Sequence, residues 1–319
     1  MAKKKGCMGC SFPVAIVVVL AILGVGVISL LAGALGNALL GDVGLPSWLL
    51  AQSPEVHLPT DVIFHFLGFP ITNTIITAWI TIIVLLTIFY FGTRSMKLIP
   101  SRFQTAVEFV IDYLLTFCED IAGKKYGRKF FVIVATIFLF VITNSWIGLV
   151  PGVGTILVEG ADGHMVHLFR PVNTDINLPL ALAIISFIFV EYWGIKTLRL
   201  GYFKKFLNTH RFFQGFKELF SGKIKQAMGS LFNGAIDIFI GLLEALSEVV
   251  RIVSFTFRLF GNMTGGEILL LMMVFLAPFL LAIPFYGLEL LVGFIQALIF
   301  AGLTLVFATI AITPSHSDE

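Results

Sequence analysis

Ile252-Val-Ser-Phe-Thr-Phe-Arg258-Leu-Phe-Gly-Asn262-Met-Thr-Gly-Gly-Glu267-Ile-Leu-Leu-Leu-Met-Met273 is the stretch on which the fold turns. It is apolar enough for a lipid interior, yet an arginine stands in it with no acid at i±3 or i±4, where Ser254, Phe255, Gly261 and Asn262 lie. A charge at the bilayer centre costs at least ~2.5–3.5 kcal/mol. A guanidinium cannot shed its proton, so Arg258 needs a partner: Glu267 or Glu289 on this chain, or a carboxylate on another subunit that moves. The stretch belongs to an apolar tract over 229–276, which as one helix would run roughly 70 Å at 1.5 Å per residue, more than twice the ~30 Å hydrocarbon thickness. Such a helix is expected to tilt steeply or to bend, with Gly261, Gly265 and Gly266 as places to bend or to admit a neighbouring helix.

The rest of the chain agrees with that reading. Of 319 residues, 58% are hydrophobic and 13% charged, with a mean hydropathy of +0.98, whereas soluble domains carry roughly 25% charged residues. This balance excludes a disordered chain and a basic nucleic-acid binder. The three cysteines (Cys7, Cys10 and Cys118) exclude a disulfide scaffold, and Cys7 and Cys10 read as an incidental pair near the membrane surface. Apolar runs at 13–36, 71–92, 131–150, 178–195, 229–276 and 285–312 predict an all-α integral membrane protein. It has about five core helices, an N-terminal segment, and a C-terminal hairpin of two long tilted helices, with Pro278 and Pro284 at the turn. Residues 13–36 exceed the length of an ordinary signal-peptide core, which favours a retained anchor over a signal peptide cut near Ala32-Gly33-Ala34.

Charge placement fixes the expected orientation. Eighteen of the 21 Lys and Arg fall at the N-terminus, in 94–129 and in 196–225, whereas 37–70 and 151–177 hold only Arg170 against six acids. By the positive-inside rule the chain ends and both basic loops are cytoplasmic. The expected organisation is therefore an N-terminal anchor or signal segment at 1–36, an extracytoplasmic segment at 37–70 and membrane helices with basic loops over 71–228. The long hairpin at 229–312 and a cytoplasmic tail at 313–319 complete it. Phe103 to Ile121 and the loop 196–225 read as interfacial helices.

The remaining charges cluster late in the chain. Asp237, Glu244, Glu248, Arg251 and Arg258 each fall within about 60° of Asp237 at 100° per residue, forming one helical stripe that must face protein or water. Glu248 and Arg251 are spaced to neutralise each other. Glu289 and Gln296 share a face of the last helix, and with Asn262 and Glu267 they supply two polar faces for a hydrated proton path. All six histidines fall in loops or surface segments, so a relay inside the membrane would use carboxylates, amides and water, and no metal or cofactor is expected.

Arg258-Leu-Phe-Gly-Asn-Met-Thr-Gly-Gly-Glu267 resembles the signature of subunit a of the F-type ATP synthase. Further matches are Pro171-Val-Asn-Thr-Asp175-Ile-Asn177, Glu244 fourteen residues ahead of the arginine, and Glu289-Leu-Leu-Val-Gly-Phe-Ile-Gln296-Ala. The resemblance covers roughly 65–312. It implies a stator in which Arg258 is the essential coupling arginine, facing a rotating ring of c subunits that each carry a membrane-embedded carboxylate. Asn262, Glu267, Glu289 and Gln296 map onto the outer half-channel, and Glu244, Ser247 and Ser254 onto the cytoplasmic one. Some members of that family have His at one of the two acidic outer positions, whereas this chain has Glu at both, and two carboxylates close together in low dielectric should not both be ionised.

The implied partners are the ring, the peripheral-stalk b subunits, other ATP synthase subunits, the lipid bilayer and the transported proton, with the choice between proton and sodium resting on the ring. The implied location is a bacterial inner membrane or, alternatively, the energy-transducing membrane of an organelle. No Gly-rich phosphate loop followed by Lys-Ser/Thr is present, so ATP chemistry belongs to other subunits. Two other classes compete. A self-contained channel or transporter would carry its own cavity, often at interrupted repeats, and an intramembrane enzyme would need a base near Ser247 or Ser254, where no His stands.

Overall fold

The computed structural model describes residues 12–41, 46, 60–94, 96–150, 152, 156–161, 163–199, 202, 214 and 224–313. Seven helices among them carry the fold: α1 (Phe12–Ala32), α2 (Ala34–Leu40), α3 (Asn73–Thr93), α4 (Arg102–Gly148), α5 (Asn177–Leu198), α6 (Ile224–Leu276) and α7 (Phe279–Ile312). Five stretches are long and apolar enough to cross a membrane: Val14–Ala32, Asn73–Thr93, Arg102–Gly148, Asn177–Leu198 and Ala282–Ile312. The chain is an all-α integral membrane protein, as its hydropathy implied. Cys7, Cys10, most of the loop 196–225 and the tail beyond Thr313 lie outside the described residues.

Local chemistry sets the helix ends. Thr72 and Ser101 cap α3 and α4 by accepting from the backbone N–H groups of Ile75 and Gln104. Inside α4, Gly123 has φ 73° and ψ 159°, a left-handed value that suits glycine, and it folds the 47-residue element into two arms. The first arm contains the expected interfacial helix and packs inward, with Leu114 and Cys118 buried and Phe117 against Gly302 of α7. The second arm begins directly after Gly123, seven residues earlier than the apolar run at 131 suggests. Its opening lysines remain compatible with the helix because Lys129 lies over the rings of Tyr126 and Trp193 at 5.5 and 5.6 Å.

The hairpin differs from expectation at its turn. α6 runs as one helix of 53 residues through Gly261, Gly265 and Gly266. Pro278 precedes α7, but Pro284 lies within α7 and does not end it. Proline's fixed φ is helical, and near a helix start the missing N–H costs a single hydrogen bond.

Two short antiparallel hairpins add strands that hydropathy alone did not suggest. β1 (Val62–Phe66) pairs with β2 (Phe69–Thr72), and β3 (Leu157–Glu159) with β4 (Met165–His167). The Ala161 N–H donates to the Val62 carbonyl at 3.0 Å and joins the two hairpins.

The core lies between α4, α5, α6 and α7. Ala297, Ala301, Thr304, Leu305 and Ala308 form a buried stripe on α7, where small side chains let the helices approach closely. Phe130 stacks edge-on with Phe189 and Trp193 at 5.5 and 5.3 Å, and Phe255 meets Phe300 at 5.0 Å. The first two contacts join α4 to α5, and the third joins α6 to α7.

Candidate functional site

Arg258 stands 34 residues into α6, roughly 50 Å along its axis. Its side chain is exposed, and its Nη2 donates to Ser254 Oγ one turn earlier at 3.4 Å. Among the described residues no carboxylate of this chain forms an ion pair with it. Neither Glu267 nor Glu289, the two acids the sequence offered, is its partner. Gly261, Asn262 and Gly265 continue the exposed surface on the same side, and no atom lies within 4 Å of a methyl group placed on either glycine. From α7, the Gln296 side-chain amide donates to the Arg258 carbonyl at 2.9 Å.

Towards the N-terminal end of α6, Glu248 and Arg251 form the ion pair their spacing implied, with Glu248 buried and Arg251 partly buried. The Arg251 guanidinium lies 4.2 Å from the centre of the Phe307 ring. Glu244 is half-buried and Ser247 exposed. The Tyr202 hydroxyl donates to Glu191 Oε1 at 3.0 Å.

Towards the C-terminal end, Glu267 and Glu289 behave differently. Glu289 is 3% exposed, and its carboxylate rests on Gly266, where any β-carbon would collide with it. Glu267 instead accepts from Arg170 Nη2 at 3.4 Å. Arg170, a loop residue by sequence, is 8% exposed, and its backbone N–H donates to Thr77 Oγ1 at 3.3 Å.

A buried polar cluster surrounds this pair. Thr74 Oγ1 donates to Asp175 at 3.0 Å, Thr81 Oγ1 to Asn144 Oδ1 at 2.7 Å, and Asn173 Nδ2 to Ser145 Oγ at 2.9 Å. Asn73 Oδ1, Asn144 Nδ2, Asn173 Oδ1 and Thr264 Oγ1 are buried without a hydrogen-bond partner among the described residues. Unpaired polar groups in such a setting call for water. The signal in the sequence was the four-residue spacing of Asn73, Thr77 and Thr81 on α3, one polar stripe along an apolar helix.

Fold and site together define a multi-pass α-helical membrane protein whose buried charges concentrate on and around one long helical hairpin. Residues 75–309 match the family described as ATP synthase A chain. Curated relatives include "ATP synthase subunit a" of Trichlorobacter lovleyi, 30% identical over 76% of this chain and 89% of the relative. "ATP synthase subunit a 3" of Pelobacter propionicus is 31% identical over 75% and 86%, and "ATP synthase subunit a" of Moorella thermoacetica is 29% identical over 79% and 95%. The chain belongs to the ATP synthase subunit a family. The family match begins within α3, so α1, α2 and both strands of the first hairpin precede it.

Proposed function

We propose that this chain is the stator of the membrane sector of a proton-translocating F-type ATP synthase, coupling proton flow to rotation of a ring of c subunits at Arg258. The reading rests on one observation: a permanently charged guanidinium on an apolar helix is exposed and, among the described residues, is paired with no carboxylate. A ring carboxylate is the complementary partner. A fixed positive charge favours the ionised form of an approaching acid, so the carboxylate releases its proton as it passes and is reloaded beyond Arg258. The same charge interrupts any direct proton wire across the membrane.

Asn262, Glu267, Glu289 and Gln296 serve the outer half-channel in this scheme, and the water-requiring polar atoms of Asn73, Asn144, Asn173 and Thr264 support a hydrated approach to it. Glu244, Ser247 and Ser254 serve the cytoplasmic half-channel. Each proton delivers about 2.3 kcal/mol per 100 mV, so several are needed per ATP made on other subunits. The ring, peripheral-stalk b subunits and a bacterial inner membrane complete the setting.

Arg258→Ala in the assembled complex is expected to abolish ATP synthesis and ATP-driven proton pumping while the complex still assembles. Inverted membrane vesicles with a pH-sensitive fluorescent dye measure the pumping, and normal acidification by that variant would falsify the assignment.

A further inference from the structure

The outer acids are not equivalent, and the difference lies in a residue from a loop. Arg170 directly precedes Pro171 and the buried 3-10 turn Val172–Thr174, which packs against α3, α4, α5 and α6. That turn and the backbone hydrogen bond to Thr77 fix where the guanidinium stands. Its Nη2 lies 3.4 Å from Glu267 Oε2. Glu289 is the more deeply buried acid, and among the described residues neither a cation nor a hydrogen-bond donor of the chain holds its carboxylate. Asp175 is engaged by Thr74 and Asn177, and Asp61 by Asn73. The nearby histidine His167 contributes its backbone carbonyl to Asn73 and keeps its side chain exposed.

We propose that Arg170 is a positioning residue of the outer proton path: it holds Glu267 as its ionised counter-charge, which leaves Glu289 as the carboxyl group that carries the proton. The proposal rests on the assignment of Glu267 and Glu289 to the outer half-channel. An ion pair with one buried and one partly buried member persists because each charge compensates the other, whereas an unpaired buried carboxylate is far less costly when protonated. Gly266 contributes by leaving room for the Glu289 carboxyl beside α6.

Removing Arg170 strands the charge of a partly buried carboxylate, while removing both members strands none. Arg170→Gln is therefore expected to slow ATP-driven proton pumping in inverted vesicles by at least about tenfold per assembled complex, the equivalent of ~1.4 kcal/mol. The double variant Arg170→Gln/Glu267→Gln is expected to pump faster than Arg170→Gln alone, and Arg170→Lys to recover part of the rate. A double variant as slow as the single one, or slower, overturns the proposal.

Difference infrared spectroscopy of the intact complex supplies a second reading in case Arg170→Gln fails to assemble. The protonated-carboxyl band of the outer path is expected to vanish in Glu289→Gln and to survive in Glu267→Gln. Loss in Glu267→Gln alone reverses the assignment and overturns it. Normal pumping by Arg258→Ala would instead sink the broader coupling scheme.

Discussion

The Gln296 side-chain amide donates to the backbone carbonyl of Arg258 across 2.9 Å, so α7 holds α6 at the residue before which the ring is proposed to pass. Gln296 is 3% exposed, and the carbonyl it meets is also in place to serve the α6 ladder. Its loss therefore removes one hydrogen bond, worth about 1 kcal/mol, without stranding a buried acceptor. Gln296→Leu is expected to assemble and to lower ATP-driven proton pumping by less than about tenfold, in contrast with the complete loss in Arg258→Ala. Dye-quench assays on the two variants side by side test this. Complete loss in Gln296→Leu would mean that the amide is indispensable to the outer half-channel rather than one of several groups that support it.

Tyr202 links α5 to the loop after it. The ring is 2% exposed against Gly194, and burial first, then the charge of Glu191, push the phenol above its ordinary range. With a raised value in the folded state, the stabilisation is fully present below the unfolded pKa of about 10 and is lost as pH rises through the folded value. Tyr202→Phe is expected to lower stability by about 1 kcal/mol at neutral pH and to fall less steeply with alkali than the parent complex. Thermal midpoints across the alkaline range check this, and parallel curves for parent and variant would count against it.

Much of this architecture is legible in the sequence because lipid demands it. Spans at 71–92, 178–195 and 229–276 fall within a few residues of α3, α5 and α6, since an apolar run of sufficient length has few alternatives to a helix. The pair Glu248–Arg251 was legible because i,i+3 geometry is local. Arg170 was not, because nothing in a loop says which way it folds back, and only the 3-10 turn after it carries the guanidinium to Glu267. The two β-hairpins escaped for a related reason: strands of three to five residues are too short for alternation to register. Lys124 to Lys129 resembled loop residues because charge count alone ignores the way long side chains reach aromatic rings from within a helix.

The seat of α1 can be tested through Gly33, which ends that helix. A β-carbon there would collide with the backbone of Leu276 and Ala277 in the turn between α6 and α7, and Ser29 Oγ donates to the Pro278 carbonyl at 3.4 Å beside it. Backbone cannot swing aside as a flexible side chain can, so Gly33→Val must push α1 off the turn, an overpacking cost of typically ~1–3 kcal/mol. Gly24, earlier on the same helix, has nothing within 4 Å of the corresponding position. Gly33→Val is therefore expected to lower the thermal midpoint of the detergent-solubilised complex, and Gly24→Val to leave it within error of the parent. The comparison also separates the two readings of the N-terminal segment. A retained anchor makes Gly33→Val destabilising in the mature protein, whereas a cleaved signal peptide removes the substitution with the segment, and the two variants would then melt alike.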